Sequence, residues 1–353
     1  MHLSILIPSH RDDLLACSRI AQACSWAAEN IEVIVRDNSG SAQKRELLSK
    51  FRRDHCNIII AEPCGAAENV SEVLRPAKGE FVFLVADDDS CFDRAIASLP
   101  GVIAQVAKDQ SVVGVCGACV VESLRGTSIA SYNDLESEDV ATRLKGYLSY
   151  PGPNVLFYSP VRRTIVERVF SFTKTLPFNF SFHDQICCLL YLLSGKFVRL
   201  QRLLYSYDYG LWETSELAQK SDADFYMKQG FDPAINKLHW FLCGFEGAAL
   251  ILNSDLISFS RAQRQSIADL WFATMFARFK RDARLTFNSS LAAEAAKLCA
   301  KLQTSTGQLS FDNMLTEISR FIALTGKNQA QDYFHYWHSI LNKRQPELRK
   351  TGS

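Results

Sequence analysis

The chain has 353 residues, of which 39 are basic and 38 are acidic, and 47% of its residues are hydrophobic. This composition is sufficient for a packed core, and the length fits one large domain with an appendage or two domains. The near balance of charge excludes the broad positive surface that nucleic-acid binding normally requires, so we expect no nucleic acid as a partner.

The N-terminal stretch MHLSILIPSH predicts a first strand rather than a targeting signal. Its apolar run is short, no basic residues precede it and no small-residue cleavage site follows. The eleven cysteines lie mostly in apolar segments, and their odd number fits reduced thiols better than a disulfide framework. These features predict a cytoplasmic protein.

Short β-rich runs alternate with helical patterns in the first part of the chain. We expect strands at residues 3–9, 31–39, 56–63 and 80–89, and helices at residues 13–28, 42–54 and 66–77. Strands buried on both faces and separated by helices predict an α/β fold with a doubly wound, mainly parallel sheet. Ligands of such sheets collect at the carboxyl ends of the strands.

The later part of the chain changes from mixed to helical character. An apolar run at 112–121, a turn and strand at 150–159 and a strand at 197–209 are predicted, with helices at 162–172 and 182–196. Beyond about residue 212 the β signals stop, and helices are expected at 240–252, 260–283, 292–302, 311–326 and 330–344. The sequence therefore predicts two domains, an α/β domain at residues 1–211 and an all-helical domain at residues 212–353.

Three consecutive aspartates, Asp87, Asp88 and Asp89, directly follow the apolar run GEFVFLV. Their carboxylates repel one another unless a cation lies between them. Other polar residues follow the neighbouring strands, among them Ser9 and Asp37. A site for a positively charged ion is one interpretation of the acidic run, and a solvated acidic turn is the other.

Several common catalytic motifs are absent from the sequence. We find no GxxxxGK[ST], no GxGxxG after a strand, no HExxH and no GxSxG. A P-loop, a dinucleotide-binding Rossmann motif, a zincin and an α/β-hydrolase therefore lose their main support.

Four passages, in this order, resemble the GT-A fold glycosyltransferases of family 2, over roughly residues 1–210. They are ILIPSHRDD, EVIVRDNSGS, GAAENVSEVLRPAKGEFVFLVADDD and HDQICCLLYLLSGK. Similar proteins with a terminal Asp-Asp-Asp belong to bacterial surface-polysaccharide synthesis. The resemblance implies a metal-dependent, inverting glycosyltransferase that moves a sugar from a nucleotide-sugar to a hydroxyl acceptor, in surface-polysaccharide or glycoconjugate synthesis.

The same resemblance assigns roles to residues at the strand ends. A divalent cation, Mn²⁺ or Mg²⁺, is expected on Asp87 and Asp89, which alternation along an extended segment places on one side. Many relatives have Leu-Asp-x-Asp-Asp here, whereas this chain has Val85 at the first aspartate. The residues implied to contact the donor nucleotide are Pro8, Ser9, His10, Arg11, Asp37, Asn69, Asp87 and Asp88. Turn residues and a helix N-cap remain alternatives for His10, Asp37 and Asn69.

An inverting transfer needs a base that takes the proton of the acceptor hydroxyl. Asp184 is the candidate, and capping of its helix is the alternative. Relatives have Glu-Asp at this point, whereas this chain has His183 before Asp184. His183 and Asn154 are candidates for contact with the acceptor, with ordinary loop positions as the alternative.

Two other functions remain open on the sequence: a nucleotidyltransferase and a non-catalytic scaffold that binds a nucleotide-sugar. The expected partners are a nucleotide-sugar donor and a saccharide or lipid-linked saccharide acceptor. The helical domain is expected to serve acceptor binding, membrane association or homo-oligomer formation. A basic run could place the protein at the inner face of the membrane or form a solvated helical face, and it consists of Arg278, Lys280, Arg281 and Arg284.

Overall fold

The computed structural model of the chain describes residues 2–150, 154–209, 214–255, 257–281, 310–325 and 329–342, with residues 293, 297–298 and 300–302. The chain divides into two compact units. The first comprises Met1–Phe172 and Leu190–Gly210, and the second comprises Thr173–Leu189 and Leu211–Ser353. The boundary expected between residues 211 and 212 lies outside the described residues.

The first unit is built around a parallel group of four strands. They are β1 (Leu3–Ser9), β2 (Ile31–Asp37), β3 (Cys56–Ile60) and β4 (Phe81–Leu84), in the order β3-β2-β1-β4. Most residues of β1, β2 and β4 are buried, which explains why these strands are continuous hydrophobic runs. The register of β1 against β2 pairs Ser9 with Asp37, so two candidate site residues lie side by side.

The sheet continues beyond β4 with mixed pairing. The further strands are β5 (Ser90–Cys91), β6 (Val112–Ser123), β7 (Gly126–Ala130), β8 (Val161–Arg162) and β9 (Lys196–Asp208). The short strand β8 pairs antiparallel with both β4 and β6, whereas β6 and β9 are parallel. The α/β class is confirmed, and parallel pairing is concentrated in β1–β4 and between β6 and β9.

Six helices follow strands or turns of this unit. A seventh helix begins in the second unit and ends in the first. They are α1 (Leu14–Ser25), α2 (Ala42–Ser49), α3 (Ala66–Leu74), α4 (Asp93–Val106), α5 (Val140–Ser149), α6 (Arg163–Thr173) and α7 (His183–Ser194). Side chains of Asp13, Ser41 and Asp139 accept backbone N–H groups at the starts of α1, α2 and α5. These caps fix where the loops at the strand ends give way to helix.

The regular secondary structure described in the second unit is helical. It contains α8 (Ser215–Met227), a 3₁₀ helix (Pro233–Leu238), α9 (His239–Asn253), α10 (Arg261–Arg281), α11 (Phe311–Thr325) and α12 (Gln329–Asn342). Helix α9 is buried along most of its length. Gly247 allows α10 to pack closely against it, because a Cβ there would lie 2.1 Å from Trp271 Nε1. The predicted C-terminal helical region is confirmed.

Three details of the sequence prediction were wrong or incomplete. Residues 154–159 form turns rather than a strand, because the extended segment is only Val161–Arg162. Strand β4 ends at Leu84, so regular strand alternation does not extend to the aspartates. Helix α4 was not predicted. Much of the helix predicted at 292–302 lies outside the described residues.

None of the described helices combines the length and the apolar composition that crossing a bilayer requires.

Gly79 fixes the start of β4 and thereby the place from which the aspartates follow. Its N–H donates to Ser4 Oγ at 2.7 Å, and a Cβ would lie 2.5 Å from the Ser4 nitrogen. We expect Gly79→Ala to lower the free energy of unfolding by about 1–3 kcal/mol through overpacking. Gly101→Ala is the control, since it lies exposed in α4 with no atom near its Cβ position.

The control substitution should stabilise the protein by about 0.5–1 kcal/mol because alanine favours helix. Urea unfolding of both variants measures the difference. Equal stabilities would contradict the close approach of β4 to β1 at this point.

Candidate functional site

The polar residues predicted at the strand ends converge in the first unit. Ser9 and Asp37 end the paired strands β1 and β2, and the segment after β4 carries the aspartates. We call residues 86–89 the acidic loop. Parallel strands place their carboxyl ends at one edge of a sheet, which explains why segments distant in sequence meet here.

Asp87 ties the acidic loop to the end of β1. Its Oδ2 atom accepts a hydrogen bond from Ser9 Oγ at 2.6 Å and from the backbone N–H groups of His10 and Arg11, each at 3.1 Å. The side chain is buried, and the three donors hold its carboxylate in place. Asp87 therefore determines the conformation of the loop Pro8–Arg11, which was predicted to lie under the nucleotide.

Lys44 is a buried cation at the centre of this network, and the sequence analysis missed it. Its ammonium group lies 2.7 Å from Asp37 Oδ1, 2.6 Å from Ser9 Oγ and 2.5 Å from the carbonyl oxygen of Arg11. The side chain is only 1% exposed. The three N–H bonds of an ammonium group match these three acceptors, so the charge is buried with its hydrogen-bonding capacity satisfied.

Asp37 is both an ion-pair partner and a turn residue. Besides Lys44, it accepts hydrogen bonds from the backbone N–H of Ser39 at 3.3 Å and from Ser39 Oγ at 3.1 Å. The turn predicted as an alternative role is therefore present. The residue is 2% exposed. Its carboxylate thus contacts both the charged ammonium group of Lys44 and the neutral hydroxyl of Ser39.

Asp89 connects the opposite end of the acidic loop to β9. Its carboxylate accepts hydrogen bonds from the Tyr205 hydroxyl and, at 3.0 Å, from the backbone N–H of Asp208. Burial raises the pKa of Asp89 to about 7, with further upward contributions from the charges of Asp88 and Asp208. The two donors oppose this shift without cancelling it.

Asp88 is the more exposed member of the run. Its side chain is 31% exposed, and Oδ2 lies 3.1 Å from Arg11 Nη1. Burial, followed by the charge of Asp87, raises the pKa of Asp88, and Arg11 offsets part of this effect. Asp87 and Asp89 thus bond to β1 and β9 respectively, while Asp88 between them is partly open to solvent.

Asn69 supports the same strand ends from helix α3. Its amide nitrogen donates to Asn38 Oδ1 at 3.1 Å and to the Ser9 carbonyl oxygen at 3.3 Å, and its Oδ1 accepts from Arg36 at 2.5 Å. Gly65, not Asn69, occupies the N-cap position of α3, so the capping alternative was wrong. The side chain of Asn69 is buried, whereas that of His10 is exposed.

The acidic loop has the chemistry required of a divalent-cation site. Carboxylate oxygens are the ligands that Mg²⁺ and Mn²⁺ prefer. Burial is the largest cause of the raised pKa values of Asp88 and Asp89, so a cation bound beside the loop would stabilise the ionised carboxylates. Within the described residues no preformed group of three ligating side chains exists, so a bound phosphate would have to complete such a site.

Asp184 and His183 begin helix α7 in the second unit. Asp184 Oδ1 accepts the backbone N–H of Gln185 at 2.7 Å. The His183 side chain is 12% exposed and lies 3.5 Å from Glu246 Oε2. Asn154 lies in the first unit, where its Oδ1 accepts a hydrogen bond from the Tyr147 hydroxyl at 3.0 Å.

One signal for Lys44 was present in the sequence. Lys44 and Leu48 are four residues apart in α2 and therefore share a helix face, and both are buried. The lysine thus occupied a position of the apolar face. The sequence contained a weaker indication of the role of Tyr205. Asp89 lies 116 residues before it, and only the fold brings the two side chains together.

Comparison with known proteins agrees with this geometry. Residues 4–170 match the family described as glycosyl transferase family 2. No curated protein matches the sequence significantly. Among solved structures, S. aureus TarS 1–349 is 13% identical, with 97% of this chain and 88% of that chain covered and a TM-score of 0.53.

Two further structures of the same S. aureus protein are similar. TarS 1–349 in complex with UDP-GlcNAc is 14% identical, with 97% and 89% coverage and a TM-score of 0.52. For S. aureus TarS, the identity is 13%, the coverage 96% of this chain and 55% of that chain, and the TM-score 0.52. At these identities the similarity shows the fold alone. Residues 4–170 therefore match a family 2 glycosyltransferase domain, and the chain has a GT-A-like fold.

Proposed function

We propose that the chain is an inverting, metal-dependent glycosyltransferase that uses a nucleotide-sugar and acts in surface-polysaccharide or glycoconjugate synthesis. The observation that carries this proposal is the acidic loop, held against the buried pair of Lys44 and Asp37 at the carboxyl ends of β1, β2 and β4. This arrangement combines oxygen ligands for a cation with hydrogen-bonding groups for a nucleotide.

The nucleotide base is proposed to bind at Asp37. A carboxylate accepts the N3–H of uracil or the N1–H of guanine, and here a base N–H would replace the Ser39 hydroxyl. Lys44 holds the Asp37 carboxylate in place for this contact. Because S. aureus TarS 1–349 has been solved with UDP and with UDP-GlcNAc, UDP-sugars are the first donors to test.

The diphosphate is proposed to bind at the acidic loop through Mn²⁺ or Mg²⁺, with Asp87 and Asp89 as the carboxylate ligands and Asp88 beside the donor. A divalent cation there supplies stabilisation of the negative charge on the leaving diphosphate. The protein's own part is to hold the carboxylates in place. It does so with Ser9 and the loop backbone at Asp87, and with Tyr205 at Asp89.

Asp184 is proposed as the general base. The acceptor oxygen forms a bond to the anomeric carbon, the bond from that carbon to the diphosphate oxygen breaks, and the hydroxyl proton passes to the Asp184 carboxylate. Attack from the face opposite the diphosphate inverts the anomeric configuration. Asp184 lies in the first turn of α7, at the positive end of the helix dipole.

The second unit is proposed to serve the acceptor, a saccharide or lipid-linked saccharide, and peripheral association with the inner face of the membrane. Helix α10 ends in three cationic residues, and Arg278 lies 5.0 Å from the centre of the Trp240 ring. A cation beside an aromatic ring suits a lipid headgroup region. Arg284 of the predicted basic run lies outside the described residues.

Asp89→Asn tests the metal site while preserving the size of the side chain. We expect the Mn²⁺-dependent part of UDP affinity to fall by at least about tenfold, the scale seen when a supporting group of a metal site is lost. Calorimetric titration of UDP with and without Mn²⁺ measures it. Asp93→Asn is the control, because Asp93 bonds to Gln22 and Trp26 instead. An unchanged Mn²⁺ effect in Asp89→Asn would remove Asp89 from the metal site.

Lys44→Met tests the buried ion pair. It leaves the buried Asp37 carboxylate without its cationic partner, so the free energy of unfolding should fall by about 3–5 kcal/mol. Lys44→Met with Asp37→Asn should regain much of this stability but not UDP binding, because the base has lost its charged acceptor. The control is Lys50→Met, since that exposed lysine lies 3.9 Å from Glu46 and contributes about 0–1 kcal/mol.

Denaturant unfolding and UDP titration of the three Lys44 and Lys50 variants separate stability from binding. Full UDP affinity in the folded double variant would refute recognition of the nucleotide by Asp37.

Asp184→Asn separates the base from a structural role. An amide oxygen can still accept the helix N–H group, so stability should change by no more than about 1 kcal/mol. Turnover should fall by about 10²–10⁴-fold, because the amide cannot take a proton at neutral pH. Asp312→Asn makes the same change in the first turn of α11 and is the control.

The measurement for Asp184→Asn is UDP release from UDP-GlcNAc with Mn²⁺, alongside UDP affinity. A folded variant with near-normal turnover would exclude Asp184 as the base and direct attention to Glu167 and Asp208. A wild-type chain that binds UDP-sugars but never releases UDP would instead favour a binding scaffold.

A further inference from the structure

A buried carboxylate in the second unit is not used by the proposed chemistry. Glu246 lies in the middle of α9, is 1% exposed and sits among apolar residues of that helix. The Tyr333 hydroxyl of α12 donates to its Oε1 atom at 2.9 Å, and His183 Nε2 lies 3.5 Å from its Oε2 atom. The carboxylate therefore links α12 to the beginning of α7.

The hydrogen bonds of His183 define its tautomer. Its Nδ1 atom accepts the backbone N–H of Phe180 at 3.3 Å, so in the neutral ring the proton is on Nε2, which lies 3.5 Å from Glu246 Oε2 as an electrostatic contact without hydrogen-bond geometry. The His183 N–H in turn donates to the Phe180 carbonyl oxygen at 3.1 Å. The rings of Phe180 and Phe182 pack edge-on against the imidazole at 5.7 and 5.2 Å. The ring is thus fixed in both position and orientation.

His183 immediately precedes Asp184, and neighbouring contacts hold the same turn. Ser181 Oγ lies 2.9 Å from the Tyr226 hydroxyl and 3.1 Å from His239 Nδ1. Gln185 lies 3.7 Å from the Cys243 sulfur, one turn of α9 before Glu246. The contact of Glu246 with His183 adds a carboxylate beside the residue that precedes Asp184.

We propose that Glu246 is a positioning residue, which fixes through His183 the first turn of α7 and thereby the direction of the Asp184 carboxylate. This inference rests on the proposed role of Asp184 as the base. A base that is displaced by about 1 Å loses about 10²-fold in rate, so a support of this kind has a large effect on turnover.

Burial makes a carboxylate at the Glu246 position costly. Desolvation raises the pKa of Glu246, and the interactions with His183 and Tyr333 counteract only part of that shift. Removing one partner of a buried polar contact also lowers the free energy of unfolding, so a positioning role is separated from a stability role by the turnover per folded molecule.

The decisive comparison is Glu246→Met against Glu246→Gln. Methionine offers no acceptor to the Nε2–H group of His183, whereas the glutamine oxygen does, with the Tyr333 hydroxyl turning to accept from the amide nitrogen. We expect Glu246→Met to lower kcat by at least about tenfold with KM for UDP-GlcNAc unchanged, and Glu246→Gln to restore most of kcat. A purely structural role would lower kcat only in proportion to the folded fraction.

Two substitutions of His183 provide a matched pair on the other side of the contact. His183→Gln places an amide N–H near the Nε2 position, whereas His183→Asn keeps an acceptor near Nδ1 but no donor towards Glu246. Greater turnover in the glutamine variant is expected. Hydrogen–deuterium exchange of residues 180–186 gives a readout independent of activity, and it should increase in Glu246→Met and His183→Asn but not in Glu246→Gln.

Asp184→Asn, measured beside these variants, separates the role of Asp184 as the base from the positioning role of Glu246. An inactive Asp184→Asn protein with a fully active Glu246→Met protein would overturn the positioning role alone. A fully active Asp184→Asn protein, or a wild-type chain that releases no UDP, would overturn the proposed function and this inference with it. Unchanged exchange at residues 180–186 in Glu246→Met would also refute the inference.

Discussion

The buried ammonium group of Lys44 is the interaction on which the donor end of the first unit depends. It lies in contact with Asp37 of β2, Ser9 of β1 and the carbonyl oxygen of Arg11, and Ser9 in turn donates to Asp87. One cation thereby connects two strand ends and the acidic loop. Without it, the buried carboxylate of Asp37 would lose its cationic partner.

The three carboxylates of the acidic loop differ in burial: two are buried and hydrogen-bonded to neighbouring strands, and one is partly exposed. Asp87 is held by donors on β1 and its loop, and Asp89 is held by Tyr205 and the backbone of β9. Both are buried, and the partly exposed Asp88 lies between them. Burial raises the pKa of Asp89 to about 7, so a cation bound beside the loop would stabilise its ionised carboxylate.

The sequence predicted the parts of the structure that have a local signal. The continuous apolar runs of β1 and β2 predicted a parallel sheet, and their register brought Ser9 and Asp37 together as expected. The bond between Asp89 and Tyr205 was not predictable, because 116 residues separate them and the connection arises from the pairing of distant strands. Lys44 was missed because a lysine in a polar helix is usually exposed, although its spacing to Leu48 indicated the buried face.

We propose that the chain transfers a sugar from a nucleotide-sugar with inversion. Proton NMR of the wild-type protein with UDP-GlcNAc and Mn²⁺ tests this directly, because the anomeric proton of the released sugar is resolved before mutarotation. We expect UDP release with the β-anomer appearing first from the α-linked donor, and loss of both signals with EDTA. Initial appearance of the α-anomer, or equal turnover in EDTA, would contradict it.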